Sequence, residues 1–285
     1  MTAPQVGIHL LLWTTHVEPA HAPLLHRLKA RGFDAVEVPL FSGTPAHYAA
    51  IGRMIADAGL QVGTLGVFPD ATRDPLSDDP ATRQRALDHA RWLIDCNHAL
   101  GSGLLGGPLY QAIGHLPASG GPTATERDRA ADLHRAMGAH AAAAGVTVAL
   151  EAVNRFEAHL MTSAAEIAAH VDSVGHPAIA AMHDTFHAHV EERDPVAAIA
   201  TLGHRLRHVH LGESDRGTPG RGQVPWARVF AALRAAGYDG WLMFEVLGRS
   251  MPDFAAATRM WRDVTDDPDR VCDAALALAR QNTGN

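Results

Sequence analysis

Short apolar runs alternate with helix-length segments eight times along the chain, and this alternation restricts the fold more than any single motif. The apolar runs are residues 6–12 (VGIHLLL), 33–38 (FDAVEV), 60–67, 103–106, 146–150 (VTVAL), 179–183 (IAAMH), 206–211 (LRHVHL) and 240–244 (GWLMF). Helices are expected at 23–31, 46–58, 80–100, 125–144, 195–202 and 226–236. Ser163 with Glu166 forms the capping-box pattern that opens another. A last helical region spans 254–280, broken near Asp267-Pro268. Regular strand–helix alternation predicts a parallel sheet with helices outside it. Eight such units in 285 residues predict an α/β fold, a (β/α)8 TIM barrel forming one domain over residues 1–285. A doubly wound sheet would bring a Gly-rich phosphate loop after the first strand, and Trp13-Thr14-Thr15-His16 stands there instead.

Composition narrows the function classes. The net charge of -7 offers no basic surface for nucleic acid. The two cysteines, Cys96 and Cys272, each fall in an expected helix and form neither a disulfide framework nor a thiolate metal site. No apolar run reaches membrane-spanning length, and the first residues lack the charged start of a signal peptide, so a cytoplasmic location is expected. Of the 19 histidines, His21, His26, His47, His134 and His140 read as surface residues of Ala-rich helices. Residues 106–122 form a Gly/Pro-rich loop.

Four expected strands end on residues of one chemical kind. Strand five runs into Glu151, strand six into Asp184, strand seven carries His210 near its end, and strand eight runs into Glu245. Any one of these alone reads as a helix cap, a loop acid or a hydrogen-bonded core histidine. Four successive strand ends of a barrel, however, converge on the face where barrel enzymes place their active sites. Three carboxylates brought together raise one another's pKa, and a divalent cation removes that conflict. Three carboxylates with one imidazole suit Mn2+, with Co2+ or Mg2+ as alternatives, and lack the thiolates of structural zinc.

The stretches LEAVNRFE (150–157), MHDTFHAHVEE (182–192), HVHLGESDRGTPGRGQVPW (208–226) and MFEVL (243–247) resemble the sugar-phosphate isomerase/epimerase superfamily of xylose-isomerase-like barrels, and within it the D-tagatose, D-allulose and L-ribulose 3-epimerases. GGPLY (106–110) is a weaker match, and the similarity spans essentially the whole chain. The resemblance implies a metal on Glu151, Asp184, His210 and Glu245, and contacts from Glu157, His187 and Arg216 to the sugar near O1, O2 and O3. Trp13 and Tyr110 are expected to line the substrate pocket. The implied reaction inverts C3 of a free ketose through a cis-enediolate. Two bases are needed, one for each face, and Glu151 and Glu245 are the expected pair. His183 should point to the other side of its strand from Asp184. Gly220-Arg221-Gly222 is not followed by the Lys-Ser/Thr of a phosphate loop.

Competing readings share parts of this pattern. Aldose–ketose or hydroxypyruvate isomerases, inosose dehydratases and oxo-sugar lyases use similar metal chemistry. An abasic-site endonuclease would need more ligands and a basic surface. A sugar-binding barrel without activity would not need two bases. The expected partner is a small sugar, with no nucleic acid or membrane, and the resemblance implies further copies of the chain, as a homodimer or homotetramer.

Overall fold

The computed structural model describes residues 5–117 and 120–283. Residues 1–4, 118–119 and 284–285 belong to the expected domain span, and 118–119 to the Gly/Pro-rich loop, but they lie outside the described residues. Eight parallel strands close into a barrel in chain order. They are β1 (Val6–His9), β2 (Ala35–Pro39), β3 (Gln61–Leu65), β4 (Leu104–Gly107), β5 (Thr147–Glu151), β6 (Ile179–Asp184), β7 (Leu206–Leu211) and β8 (Leu242–Phe244). Gly7 of β1 pairs with Ala35 on one side and Met243 on the other, which closes the ring. Around the barrel lie α1 (Ala22–Arg31), α2 (Pro45–Asp57), α3 (Pro80–Leu100), α4 (Ala124–Ala144), α5 (Ala164–Val174), α6 (Thr185–Glu191), α7 (Ala197–Leu202), α8 (Trp226–Ala235), α9 (Pro252–Ala257) and α10 (Pro268–Thr283).

The local signals behave as their chemistry requires. Ser163 and Glu166 form a reciprocal capping box at α5. Gly145 ends α4 in the left-handed conformation at φ 69° and turns the chain into β5. Three expectations change. The first strand stops at His9, because Leu10–Leu12 tighten into a 3-10 turn capped by the His9 ring, which accepts from the Leu11 N–H. The final helical region is two helices, α9 and α10, separated by residues 258–267. An extra helix, α6, starts directly after β6, where the Asp184 carboxylate caps it by accepting from the Phe186 N–H.

Period-two alternation divides the strands between two environments. Ile8, Val36, Val38, Val148, Leu150, Ile179, Val209, Leu242 and Phe244 join the main apolar core with helix residues such as Leu25, Ile51, Leu93 and Ile167. The alternate positions point into the barrel and are mostly small or polar, with Met182 and Met243 packed against glycines of other strands. A side chain on Gly106 would meet Met182 Sδ at 3.1 Å and His208 Cδ2 at 3.2 Å, so the bulk of β6 and β7 fills the space that β4 leaves. His134, expected at the surface, is buried, because its ring lies between α4 and α5, 2.6 Å from His170 Nε2 and 2.8 Å from the Leu109 carbonyl. Cys96 and Cys272 are free and buried in α3 and α10.

The tightest helix contact tests this packing. A Cβ on Gly52 of α2 would collide with the Leu100 carbonyl at the end of α3. Alanine gains about 1 kcal/mol over glycine in a helix interior. Overpacking against fixed backbone costs about 1–3 kcal/mol. Gly52→Ala is therefore expected to unfold at lower denaturant than wild type in an equilibrium titration. An equal or higher midpoint would show that α2 and α3 can part without cost.

Candidate metal and sugar site

The expected strand ends do meet. Glu151 ends β5, Asp184 ends β6, His210 lies one residue from the end of β7, and Glu245 directly follows β8. His210 Nδ1 is 3.6 Å from Glu245 Oε1 and 4.0 Å from Asp184 Oδ2. His187, on α6, places Nε2 3.8 Å from Glu151 Oε1 and 4.0 Å from Asp184 Oδ2. All five side chains are buried. Two overlapping groups could hold a cation, Glu151–Asp184–His187 and Asp184–His210–Glu245, each with its ligand atoms within 4.8 Å.

The fit of a divalent cation can be judged from the polar atoms themselves. Asp184 Oδ2, His210 Nδ1 and Glu245 Oε2 are buried and lack a hydrogen-bond partner. Unpaired buried polar atoms are costly; Asp184 Oδ2 and His210 Nδ1 face each other at 4.0 Å, while Glu245 Oε2 is met by Arg216 Nη1 at 3.1 Å. Burial, then the nearby Asp184 charge, pushes Glu151 well above the usual carboxylate range. Burial likewise raises Asp184 to about 6, with Glu245 adding to the shift. Burial also raises Glu245, but Arg216 and His210 outweigh it and hold that carboxyl below its ordinary value. A positive ion would relieve the first two shifts and satisfy the open atoms. The donor set of carboxylate oxygens and imidazole nitrogen suits Mn2+, Co2+ or Mg2+.

Arg216 reaches the site from the loop after β7. Its Nη1 lies 3.1 Å from Glu245 Oε2, and its guanidinium carbon is 4.4 Å from the centre of the Phe186 ring. Arg216 adopts a left-handed backbone at φ 59°, uncommon for a side-chain-bearing residue. The loop is held there by Glu213. This fully buried carboxylate accepts from the N–H groups of Ser214, Gly220 and Val224 and from the Trp226 indole. Glu157 faces the cavity, and Asn154 Nδ2 donates to its Oε1 at 2.9 Å. Asn154 also donates its backbone N–H to His187 Nδ1 at 3.1 Å, and on the other side of the ring Arg216 Nη2 lies within hydrogen-bond reach of His187 Nε2.

A cavity of roughly 390 Å³ opens above these groups. Glu151, Glu157, His187, Arg216 and Glu245 form its polar side. Leu11, Phe41, Leu65, Ile113 and Phe254 form an apolar side. Trp13 and Tyr110 are placed elsewhere. Trp13 packs beside Leu12, Val246 and Val271, and Tyr110 is fully buried with its hydroxyl donating to the Met161 carbonyl. His183 points away from the carboxylates, into a small space lined by Ala152, Thr162 and Glu192, as strand alternation requires.

One part of the site was not singled out in the sequence. Glu37 of β2 crosses the barrel interior to β7, where His208 Nε2 donates to its Oε1 at 2.7 Å and His210 Nε2 to its Oε2 at 2.6 Å. Burial raises its carboxyl, but His210 and His208 outweigh that and hold it well below the ordinary range. A charged residue inside the buried run 33–38 was the available signal.

Comparison with known proteins agrees with this geometry. Residues 25–266 match the family described as xylose isomerase-like TIM barrel. The chain is 31% identical to an L-ribulose 3-epimerase of Methylomonas sp. (strain DH-1), over 97% of each chain. It is 30% identical to a ketose 3-epimerase of Arthrobacter globiformis, over 97% of this chain and 96% of the relative. The fold superposes on the D-allulose 3-epimerase from Methylomonas sp. in complex with D-allulose with a TM-score of 0.90, at 30% identity, covering 98% of this chain and 97% of that one. A D-psicose 3-epimerase with D-tagatose from Clostridium cellulolyticum H10 gives 0.88 at 28% identity, covering 98% of both chains. On this evidence the chain belongs to the xylose isomerase-like TIM barrel family, alongside the ketose 3-epimerases.

Proposed function

We propose that the protein is a divalent-cation-dependent epimerase that inverts C3 of a free ketose of the D-tagatose, D-allulose/D-fructose or L-ribulose type. The observation that carries this reading is the pair Glu151 and Glu245. They come from strands that are not neighbours, and both line one cavity above a set of unpaired ligand atoms. Glu151, Asp184, His210 and Glu245 would hold the cation, with Mn2+ the proposed ion. When bound it polarises the ketone and offsets the negative charge that develops on its oxygen.

The chain's own residues supply the proton transfers. One of Glu151 and Glu245 removes the proton from C3 and the other returns one to the opposite face. The next turnover, in the reverse direction, exchanges their roles. The Arg216 guanidinium is a donor aimed at the same space, suited to the sugar oxygens that gain charge, and His187 Nε2 lies beside it. Glu157, tethered by Asn154, accepts from a sugar hydroxyl at the O1 end. The apolar side of the cavity receives the far end of the ketose. Among the described residues no helix is long and apolar enough to cross a membrane. We place the protein in the cytoplasm as a homodimer or homotetramer, the assembly expected from the family resemblance.

Three outcomes are expected. Protein stripped with chelator should lose turnover of D-allulose, D-fructose, D-tagatose and L-ribulose, and Mn2+ should restore C3 inversion of at least one. Full turnover without any cation would overturn the cation reading. Glu245→Gln should still bind the ketose while its kcat falls about 100- to 10,000-fold. Exchange of the C3 proton with solvent, followed by NMR, should persist at most for the one epimer whose proton faces Glu151, and exchange in both epimers would remove Glu245 as a base. Mn2+ affinity should also fall with pH. Below about 6 Asp184 holds a proton that the cation must displace, so affinity is lost as pH drops through that value and regained above it. A calorimetric titration at pH 5 and pH 7.5 giving equal affinities would exclude Asp184 as a ligand.

A further inference from the structure

The buried centre beneath the cavity contains more ionisable groups than the proposed chemistry uses. Glu37 has no solvent exposure, and nor do His9, His208 and His210 around it. A carboxylate in such a place is costly unless its charge and both oxygens are matched. Here each oxygen takes one imidazole N–H, from His208 at 2.7 Å and His210 at 2.6 Å. His9 adds a third ring. Its Nδ1 accepts from the Leu11 N–H, so its proton is on Nε2, 3.4 Å from Glu37 Oε2.

An ionised carboxylate only accepts hydrogen bonds, so both Nε2 atoms must be donors. For His210 this has a direct consequence. With the proton held on Nε2, the lone pair of the neutral ring sits on Nδ1. That is the unpaired atom facing Asp184 and Glu245. Fixing one ring nitrogen by a carboxylate aims the other at a metal and raises its basicity. We propose that Glu37 is a positioning residue for the cation site, locking His210 in the ring orientation and tautomer that present Nδ1 to the cation, with His208 anchoring the second oxygen. This rests on the cation reading above.

A competing use of the same atoms is a second cation on Glu37, His208 and His210, whose ligand atoms also cluster within 4.8 Å. The hydrogen-bond distances argue against it. At 2.6 and 2.7 Å each N–H···O contact is already closed, and a second cation would need His210 to give up both ring protons.

Glu37→Gln is the discriminating variant. Its amide has one accepting and one donating face, so it can satisfy only one of the two Nε2–H groups. Calorimetric titration of the chelator-stripped full chain with Mn2+ should give one ion per wild-type chain. In folded Glu37→Gln the affinity should be weaker by about 10- to 100-fold. A purely structural role would lower the melting temperature and leave the affinity of the folded protein unchanged, and that result overturns the proposal. Two Mn2+ per wild-type chain would overturn it as well. A wild-type chain that takes up no Mn2+ would overturn the cation reading itself, whereas wild-type binding with an unaffected Glu37→Gln overturns this proposal alone. Should the variant not fold, histidine-detected NMR of the Mg2+-loaded wild type decides. Hydrogen-bonded Nε2 protons on both His208 and His210 support the arrangement, and a bare Nε2 on either ring overturns it.

Discussion

The structure depends on keeping carboxylates inside a barrel without leaving their charge unanswered. Glu37, Glu151, Asp184 and Glu245 are all nearly or fully removed from water. Each would be destabilising alone. The barrel answers them at two levels. Deep in the interior, Glu37 is matched by imidazole N–H groups from the far side of the ring. Nearer the cavity, Asp184 and Glu245 share Arg216 and His210, Glu151 lies near His187, and open atoms remain. In the lower level both Glu37 oxygens are matched, and the upper one is where the proposed cation and sugar would sit. The apolar core lies outside the strands, between barrel and helices, so stability and chemistry occupy different layers.

Much of this was legible in the sequence. The strand ends at Glu151, Asp184, His210 and Glu245 could be read because apolar runs mark the strands and parallel barrels gather their C-terminal ends. Where reading stopped, the cause was distance along the chain. Glu37 and His208 are 171 residues apart, and their contact follows from barrel closure and register rather than from any local pattern. The same holds for His134, whose partner His170 is 36 residues on, in the next helix. Trp13 and Tyr110 are the converse case. An aromatic residue near a strand end reads as a pocket wall, but here Trp13 packs beside Leu12, Val246 and Val271, and Tyr110 is buried with its hydroxyl on the Met161 carbonyl. The end of β1 at His9 was also hidden, because the apolar run continues through a 3-10 turn.

The loop carrying Arg216 illustrates how a long connection can be rigid. One of its glycines makes room for the buried acid, since a side chain on Gly222 would collide with the Glu213 carboxylate. Glu213, with four N–H donors, gathers the loop around itself, and Arg216 is held in an uncommon backbone conformation as a result. Leu247, two residues after Glu245, ties the loop down further by donating its N–H to the Arg216 carbonyl. The guanidinium is thus carried to the cavity on a pre-formed frame, which lowers the ordering cost of binding.

Much of the apolar wall and the clustered ligand-type residues come from different stretches of the gene. Leu11, Leu40, Phe41, Leu65 and Val67 follow or end the first three strands, whereas Glu151, Asp184, His210 and Glu245 lie at the ends of the last four; Phe254 alone of the large apolar wall residues named above comes from beyond the eighth. Most of the wall and the carboxylates are therefore inherited on separate halves, and a lineage can exchange much of the wall while retaining the carboxylates. Glu37 sets the limit of that freedom. It belongs to the first half but grips two histidines of the second, so a transplanted front half works only if it brings an acid at that position of its second strand.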